Sequence, residues 1–404
     1  MSNWEYRRGA RNVSRRVVDT ELTGTDTQAP FIQLLSPDGT RRQDPAWERY
    51  TRDVDLETLR GFYRDMAATR RLDDEGTALQ RQGQLVLWVP LKGQEAAQIG
   101  SGRATVPQDY LFPTYREHGV AITRGVQIAE MLRVFRGISH GGWDPTSTGF
   151  HNYTMVLAAQ TLHAVGYAMG VQRDQKGWDQ ERLAAEGGAV MAYFGDGASS
   201  EGDVHESMVF AASTQAPVVF FCQNNQWAIS VPFEVQSRVP LVNRAAGYGF
   251  PAVRVDGNDV LAVHAVTRWA LECARTGQGP VLIEAVTYRR GAHTTADDPT
   301  KYRSRNEEED WDERDPMLRL ERHLRAAGTG EDFFAAVKEE TDQMAAELRA
   351  TAMAFPTPAL EESFANVYAA PHPLVEEELA FYREYQAGFA DASTDGTTEQ
   401  EDAK

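Results

Sequence analysis

Apolar positions in the first fifty residues follow neither a helical nor a strand period, and Pro, Gly, Asp and Thr are scattered among them. This stretch reads as an extended arm. A helical pattern begins behind Asp55, a favourable N-cap, with Leu56, Leu59, Tyr63 and Met66 at helical spacing. Further helices are predicted at 93–104, 127–136 and 158–172, the last with Gly166 and Gly170 on one face where backbones can approach closely. From about 189 the texture changes. Short apolar runs at Ala189–Phe194, Val218–Cys222, Ala252–Val255 and Val281–Tyr288 alternate with helical patterns at 201–214 and 259–275. This alternation predicts an α/β fold, a parallel sheet wrapped by helices. Residues 316–349 read as exposed helix, and the final "DASTDGTTEQEDAK" as a disordered acidic tail. The expected organisation is an arm over 1–50, an α/β domain over 51–330, a helical C-terminal region over 331–385 and the tail over 386–404.

Charge narrows the possible partners. Lys and Arg number 41 against 59 Asp and Glu, a net charge of −18. That balance argues against nucleic acid and anionic membrane as bulk partners. The two cysteines, Cys222 and Cys273, have no metal-ligand spacing and suit a reducing compartment. No apolar run approaches the roughly 20 residues of a membrane helix. The Arg-rich start "MSNWEYRRGARNVSRR" carries Glu5, is followed by Asp19 and Glu21, and lacks an apolar face. It reads as a basic arm rather than an organelle transit segment, so a cytoplasmic location is expected ahead of the mitochondrial matrix.

The chemistry is concentrated in "AVMAYFGDGASSEGDVHES", residues 189–207. An apolar strand runs into a glycine turn, Gly195-Asp196-Gly197, with a helix behind it, as in many phosphate sites. Asp196, however, would repel a phosphate. A dinucleotide fingerprint fails, because Ser200 stands at the third glycine position and the next strand ends in Gln223-Asn224-Asn225 without an acid. A Walker loop fails too, for want of Gly-Lys-Ser/Thr. A divalent cation between Asp196 and a diphosphate resolves the conflict. Magnesium takes about six oxygens, few of them from protein. Asp196 and Asn225, each at the tip of a neighbouring parallel strand, would supply a carboxylate and a neutral amide oxygen.

"GDGASSEGD" followed by "FFCQNNQWAIS" resembles the thiamine diphosphate motif of the alpha subunit of the decarboxylating component of 2-oxo acid dehydrogenase complexes. "PTYREHGV", "GYGFPAVRVDGNDVLAV", "GPVLIEAVTYRRGAHTTADDPTKYRS" and "DPMLRL" are similar to blocks of the same subunit, over about residues 50–345. The resemblance implies a thiamine diphosphate-binding fold in which Asp196, Asn225 and the Trp227 carbonyl ligate Mg²⁺. It implies further that the backbone around Gly197 and Ala198 holds the diphosphate, that Arg116 and His293 reach the phosphates with Tyr115 lining the same cleft, and that Leu157 and Ile229 shape the cofactor. Some relatives carry arginine where this chain has Gln223, which leaves more of the phosphate charge to Arg116. His118, His205 and His264 are read as structural.

The activity implied is thiamine diphosphate- and Mg²⁺-dependent oxidative decarboxylation of a small 2-oxo acid, with acyl transfer to a lipoyl-bearing acyltransferase core. "VRVDGNDVLAV" looks closer to branched-chain members, with pyruvate as the alternative; an acetoin-cleaving subunit and a non-catalytic scaffold are further readings. This chemistry needs a protonated carboxyl against the pyrimidine ring, and the chain has no second strand–helix domain to supply it. The resemblance assigns that group to a beta subunit in a heterotetramer. The loop "RRGAHTTADDPTKYRSRNEEED", residues 289–310, is expected at the same sheet edge and to gain order from a bound anion.

Overall fold

A computed structural model of the chain describes residues 31–139 and 141–392. The arm over 1–30 and the tail from 393 onward lie outside the described residues. By contacts the chain divides into a unit ending at Met353 and a second beginning at Ala354.

The first unit is built on five parallel strands in the order β1-β2-β3-β7-β6, as the strand–helix alternation predicts. They are β1 (Tyr110–Phe112), β2 (Val190–Gly195), β3 (Val218–Asn224), β6 (Ala252–Asp256) and β7 (Val281–Val286); β4 (Trp227–Ala228) and β5 (Val231–Pro232) form a small separate hairpin. The four anticipated strands are present within two residues of their expected bounds. Strand β1 was missed, since three residues are too few to show a period.

β2 and β3 are buried on both faces, which is why they read as unbroken apolar runs. Val190, Ala192, Phe194, Val218, Phe220 and Cys222 point to one side, against Ala164, Val165 and Ala168 of helix Ala159–Asp174 and Val204, Met208 and Ala211 of helix Gly202–Thr214. Tyr193 points to the other side and donates to Ser101 Oγ at 3.1 Å on helix Glu95–Gly102. That helix packs beside Val260–Arg275 and the long helix Leu56–Arg81, whose N-cap is Asp55 as expected, accepting from the Thr58 amide. Gly166 and Gly170 lie on the outward side of their helix with nothing beside them.

The described part of the arm extends the sheet. Ile32 bridges in parallel to Val255, its amide donating to the Arg254 carbonyl at 2.9 Å and its carbonyl accepting from Asp256 at 2.9 Å. Asp259 caps helix Val260–Arg275 with one carboxylate oxygen and takes the Leu34 and Leu35 amides with the other. Leu35 is fully buried. The stretch 316–349, expected as exposed helix, is two helices, Pro316–Ala326 and Glu331–Ala354. Each buries one face, through Leu320 and Leu324 and through Phe334, Val337 and Ala345. Arg319 is buried as well, donating to Asp256 and to the Leu35 carbonyl.

The second unit contains a 3₁₀ turn, Leu360–Ser363, and helix Pro373–Ala392, joined by the Arg383–Glu361 ion pair. Residues 386–392, assigned to the tail by composition, therefore continue a helix. The aromatic residues Phe381, Tyr385 and Phe389 recur along it at helical spacing and sustain it beyond the point where composition turns polar.

Docking of the arm through Leu35 should be measurable. Leu35→Ala removes a fully buried side chain and is expected to cost about 2–5 kcal/mol. Urea unfolding should show a lower midpoint, and an unchanged midpoint would mean that the arm contributes nothing to stability.

Candidate active site

The carboxyl ends of β2 and β3 open into one cleft, where ligands of such sheets collect. All eleven residues singled out from the sequence line it: Tyr115, Arg116, Leu157, Gly195, Asp196, Gly197, Ala198, Asn225, Trp227, Ile229 and His293. His118, His205 and His264 do not. Their rings are held by Tyr153 and the Val89 carbonyl, by Tyr248, and by the Gly100 carbonyl respectively.

The glycine turn is shaped as its sequence suggests, with one difference. A 3₁₀ turn, Ala198–Ser200, intervenes between Gly197 and the helix, which starts at Gly202. Gly197 is needed because a Cβ there would lie 2.8 Å from the Ala228 side chain. The turn and the 227–229 segment are thus pressed together. Asp196 is buried at 1% exposure, with one oxygen accepting from the Asn225 amide at 3.3 Å and the other from Gln236 Nε2 at 3.1 Å. Burial pushes its carboxyl up to about 6, with these donors pulling the other way. Asn225 gives its Nδ2 to Gln94 at 3.1 Å, which turns its amide oxygen towards the Trp227 amide.

Two cations face this acid. Arg116 donates to the carbonyls of Pro90 and His293 and, at 3.2 Å, to His293 Nδ1. Arg289 is fully buried and donates to the Trp227 carbonyl at 3.0 Å, the Ile229 carbonyl at 2.7 Å and Tyr302 at 3.1 Å. Its Nε has no partner. Neither guanidinium has a carboxylate partner among the described residues. Burial lowers the pKa of both, that of Arg289 to about 10, with the Arg116 charge adding to the effect. One lone pair of the Trp227 carbonyl, an expected metal ligand, is therefore engaged by Arg289.

His293 lies between the two. Its Nδ1 is 3.2 Å from Arg116 and 3.5 Å from Arg289, and therefore accepts, which leaves the proton on Nε2. Burial first, then the two guanidinium charges, depress its pKa to about 3. The loop that begins at Arg289 is anchored at several points. Asp297 accepts from the His293 amide at 2.8 Å and from Tyr302, and Thr295 exchanges bonds with the backbone of Trp88.

Leu157 and Ile229 are about half exposed, at 49% and 52%, and stand open at the cleft. Ile229 is held at φ +53° and Gln226 at +73°. A left-handed β-branched residue is strained, and such strain gathers at functional sites. Gln223 donates to Glu117 at 2.6 Å, while its Oε1 is buried without a partner. Glu117 accepts from Gln223 on one oxygen and from the Thr114 amide and hydroxyl on the other. Gln94 and Arg289 were not singled out as site residues. Arg289, which follows β7, reads with Arg290 and His293 as a loop group that could meet a phosphate or an acid, while nothing in sequence ties Gln94 to Asn225.

No group of three His, Cys, Asp or Glu side chains converges among the described residues. The Asp196, Asn225 and Trp227 oxygens form a set with a single carboxylate. Such a set suits a hard cation whose remaining ligands come from a phosphate and water.

A twisted parallel sheet with an acid, an amide and two unneutralised cations at its strand tips defines a protein that binds an anionic cofactor there. The chain belongs to the family of dehydrogenase E1 components, whose model matches residues 63–361. It is 45% identical over 340 residues to the 3-methyl-2-oxobutanoate dehydrogenase subunit alpha of Mycobacterium tuberculosis (strain ATCC 25618 / H37Rv), covering 84% of this chain and 89% of that protein. It is 36% identical over 307 residues to the pyruvate dehydrogenase E1 component subunit alpha of Staphylococcus aureus (strain Mu50 / ATCC 700699), covering 75% and 79% respectively. Membership of this family implies thiamine diphosphate as the cofactor.

The state of His293 has a direct check. In the ligand-free chain its ring resonance, assigned by its loss in His293→Gln, is expected not to titrate between pH 8 and 5. An ordinary histidine would titrate near 6.5. Because the folded value is depressed, this group's share of stability is present above about pH 6.5 and is lost as pH falls towards 3. A midpoint near 6.5 in the NMR titration would refute the two-guanidinium environment.

Proposed function

We propose that this chain is the alpha subunit of a 2-oxo acid dehydrogenase acting on branched-chain 2-oxo acids of the 3-methyl-2-oxobutanoate type. The acyl group passes to the lipoyl group of an acyltransferase core. The observation that carries the reading is the pair of buried arginines, Arg116 and Arg289, facing the Asp196 turn without carboxylate partners. Burying a charge without compensation is costly, so a site of this kind awaits an anion. Branched-chain specificity is supported by the higher identity to the subunit of that name, and pyruvate is the second reading.

Asp196, Asn225 and the Trp227 carbonyl would hold Mg²⁺ against the diphosphate, with Gly195, Gly197 and Ala198 bringing backbone alongside it. Arg116 and Arg289 neutralise the phosphates. Thiamine diphosphate, when bound, supplies an electron sink at the carbon that loses carbon dioxide. Ile229 and Leu157 offer apolar walls to its rings. His293, neutral and protonated on Nε2, serves as a hydrogen-bond donor to the diphosphate or to the reacting groups, and Tyr115 packs edge-on against it at 6.3 Å. Glu117 is committed to Thr114 and Gln223, and the relatives are named as alpha subunits, which supports a carboxyl for the pyrimidine supplied by a beta chain, in a heterotetramer of two alpha and two beta chains. Among the described residues no helix is long and apolar enough to cross a membrane, and bacterial relatives accord with a cytoplasmic enzyme.

Calorimetric titration of the alpha–beta assembly with Mg²⁺ and thiamine diphosphate tests the clamp. Asp196→Ala and Asn225→Ala are each expected to weaken binding by on the order of 100-fold or more with the fold intact. Unchanged affinity in either would overturn the metal assignment. The alpha chain alone should decarboxylate nothing, and the assembly should turn over 3-methyl-2-oxobutanoate faster than pyruvate. The reverse order would favour the second reading.

A further inference from the structure

Asp73 lies in the interior of helix Leu56–Arg81 and does not touch the cleft, yet its carboxylate is buried at 2% exposure. It forms no ion pair among the described residues. Instead it accepts four bonds from N–H donors of one short segment: Trp88 Nε1 at 2.8 Å, the Leu91 amide at 3.1 Å to each oxygen, and the Lys92 amide at 3.0 Å. Gly76, one helical turn on, leaves room for this, since a Cβ there would lie 2.3 Å from the Trp88 ring. Three directional N–H donors gathered on one buried carboxyl define a backbone path more strictly than apolar packing does.

The segment so gathered, residues 88–94, touches each part of the cleft. The Pro90 carbonyl receives Arg116. Trp88 pairs with Thr295 of the His293 loop through its amide at 3.1 Å and its carbonyl at 3.0 Å. The Lys92 carbonyl receives the Arg290 amide at 2.9 Å. Gln94 takes Asn225 Nδ2 at 3.1 Å and so orients the amide oxygen expected to meet the cation. Arg116, the loop of His293 and Asn225 come from three distant parts of the sequence, and this segment is bonded to all three.

We propose that Asp73 is a positioning residue for cofactor binding, setting Arg116, the His293 loop and Asn225 through the 88–94 segment. The proposal rests on the reading of the cleft as a thiamine diphosphate site. Asp73→Asn keeps the shape but turns an N–H₂ towards amides that need an acceptor. The segment should then shift, and with it Arg116, the His293 loop and the Asn225 side chain, while the strands themselves stay in place.

The test uses the alpha–beta assembly, with Mg²⁺ and thiamine diphosphate titrated by calorimetry and turnover measured at saturating cofactor. Asp73→Asn is expected to weaken cofactor binding roughly 10-fold or more, in the range seen when groups that orient ligands are removed. Turnover at saturation should fall by a smaller factor than affinity does, since Asp73 itself touches no reacting group. Asp109→Asn is the control for mere loss of a buried acid. Asp109 holds Arg275 and the Ala189 amide at the opposite end of the strands, and its loss should lower thermal stability without moving cofactor affinity. Should Asp73→Asn fail to assemble, Trp88→Phe removes a single donor and is expected to weaken binding in the same direction by a smaller factor. Wild-type affinity in the Asp73→Asn assembly, or in Trp88→Phe where that variant stands in, would overturn the proposal, as would an equal loss in Asp109→Asn. Failure of the wild-type assembly to bind the cofactor would instead overturn the reading of the cleft, and this proposal with it.

Discussion

Two guanidinium groups, those of Arg116 and Arg289, sit in one cleft hydrogen-bonded to carbonyl, hydroxyl and imidazole groups, with carboxylates near but none bonded to them among the described residues, and much of the neighbouring structure serves to keep them there. A buried cation without a counter-charge is tolerated when its hydrogen bonds are satisfied and when a ligand completes the balance. Arg289 takes two carbonyls from the 227–229 turn and Arg116 takes one from the 88–94 segment and one from the His293 loop. These bonds fix the position of both guanidinium groups at the cleft.

The same constraint accounts for features that would otherwise look unrelated. Ile229 is held in a left-handed backbone because its carbonyl must turn towards Arg289, and the strain is carried by that bond. His293 is kept neutral first by burial, and then because a second proton would add a third positive charge beside two others. Burial holds the Asp196 carboxyl up at about 6, while the donors around it and the Arg289 charge pull the other way. The site is a set of unmet charges held in register by uncharged groups.

Within the cleft the remaining acids are tied up or peripheral: Glu117 is bonded to Thr114 and Gln223, and Glu201 is exposed at its edge. The chain thus carries the phosphate end of a site whose other end needs a partner. Exposed Met155, Val156 and Leu157 beside the cleft, and Ile229 across it, accord with a surface that is covered when the partner arrives.

How much of this was readable in advance depended on the range of the interactions involved. Strands β2 and β3 were legible because a doubly buried strand must be largely apolar, and β6 and β7 because short apolar runs around Arg254 and Glu284 stand between helical patterns. Asp55, Asp196 and Gly197 were legible because caps and tight turns need particular residue types at particular steps. The site residues Arg116, His293 and Leu157 were placed by resemblance, since no local pattern marks them. Tertiary structure alone decided that Leu35 is core rather than free arm, that Arg289 faces inward between two carbonyls, and that Gln94 orients Asn225. It alone brought Asp73 beneath the segment that meets Arg116. These are pairings between residues far apart in the chain. A sequence records which residue is present, but which distant donor meets which acceptor is settled only when the helices and strand tips are packed together.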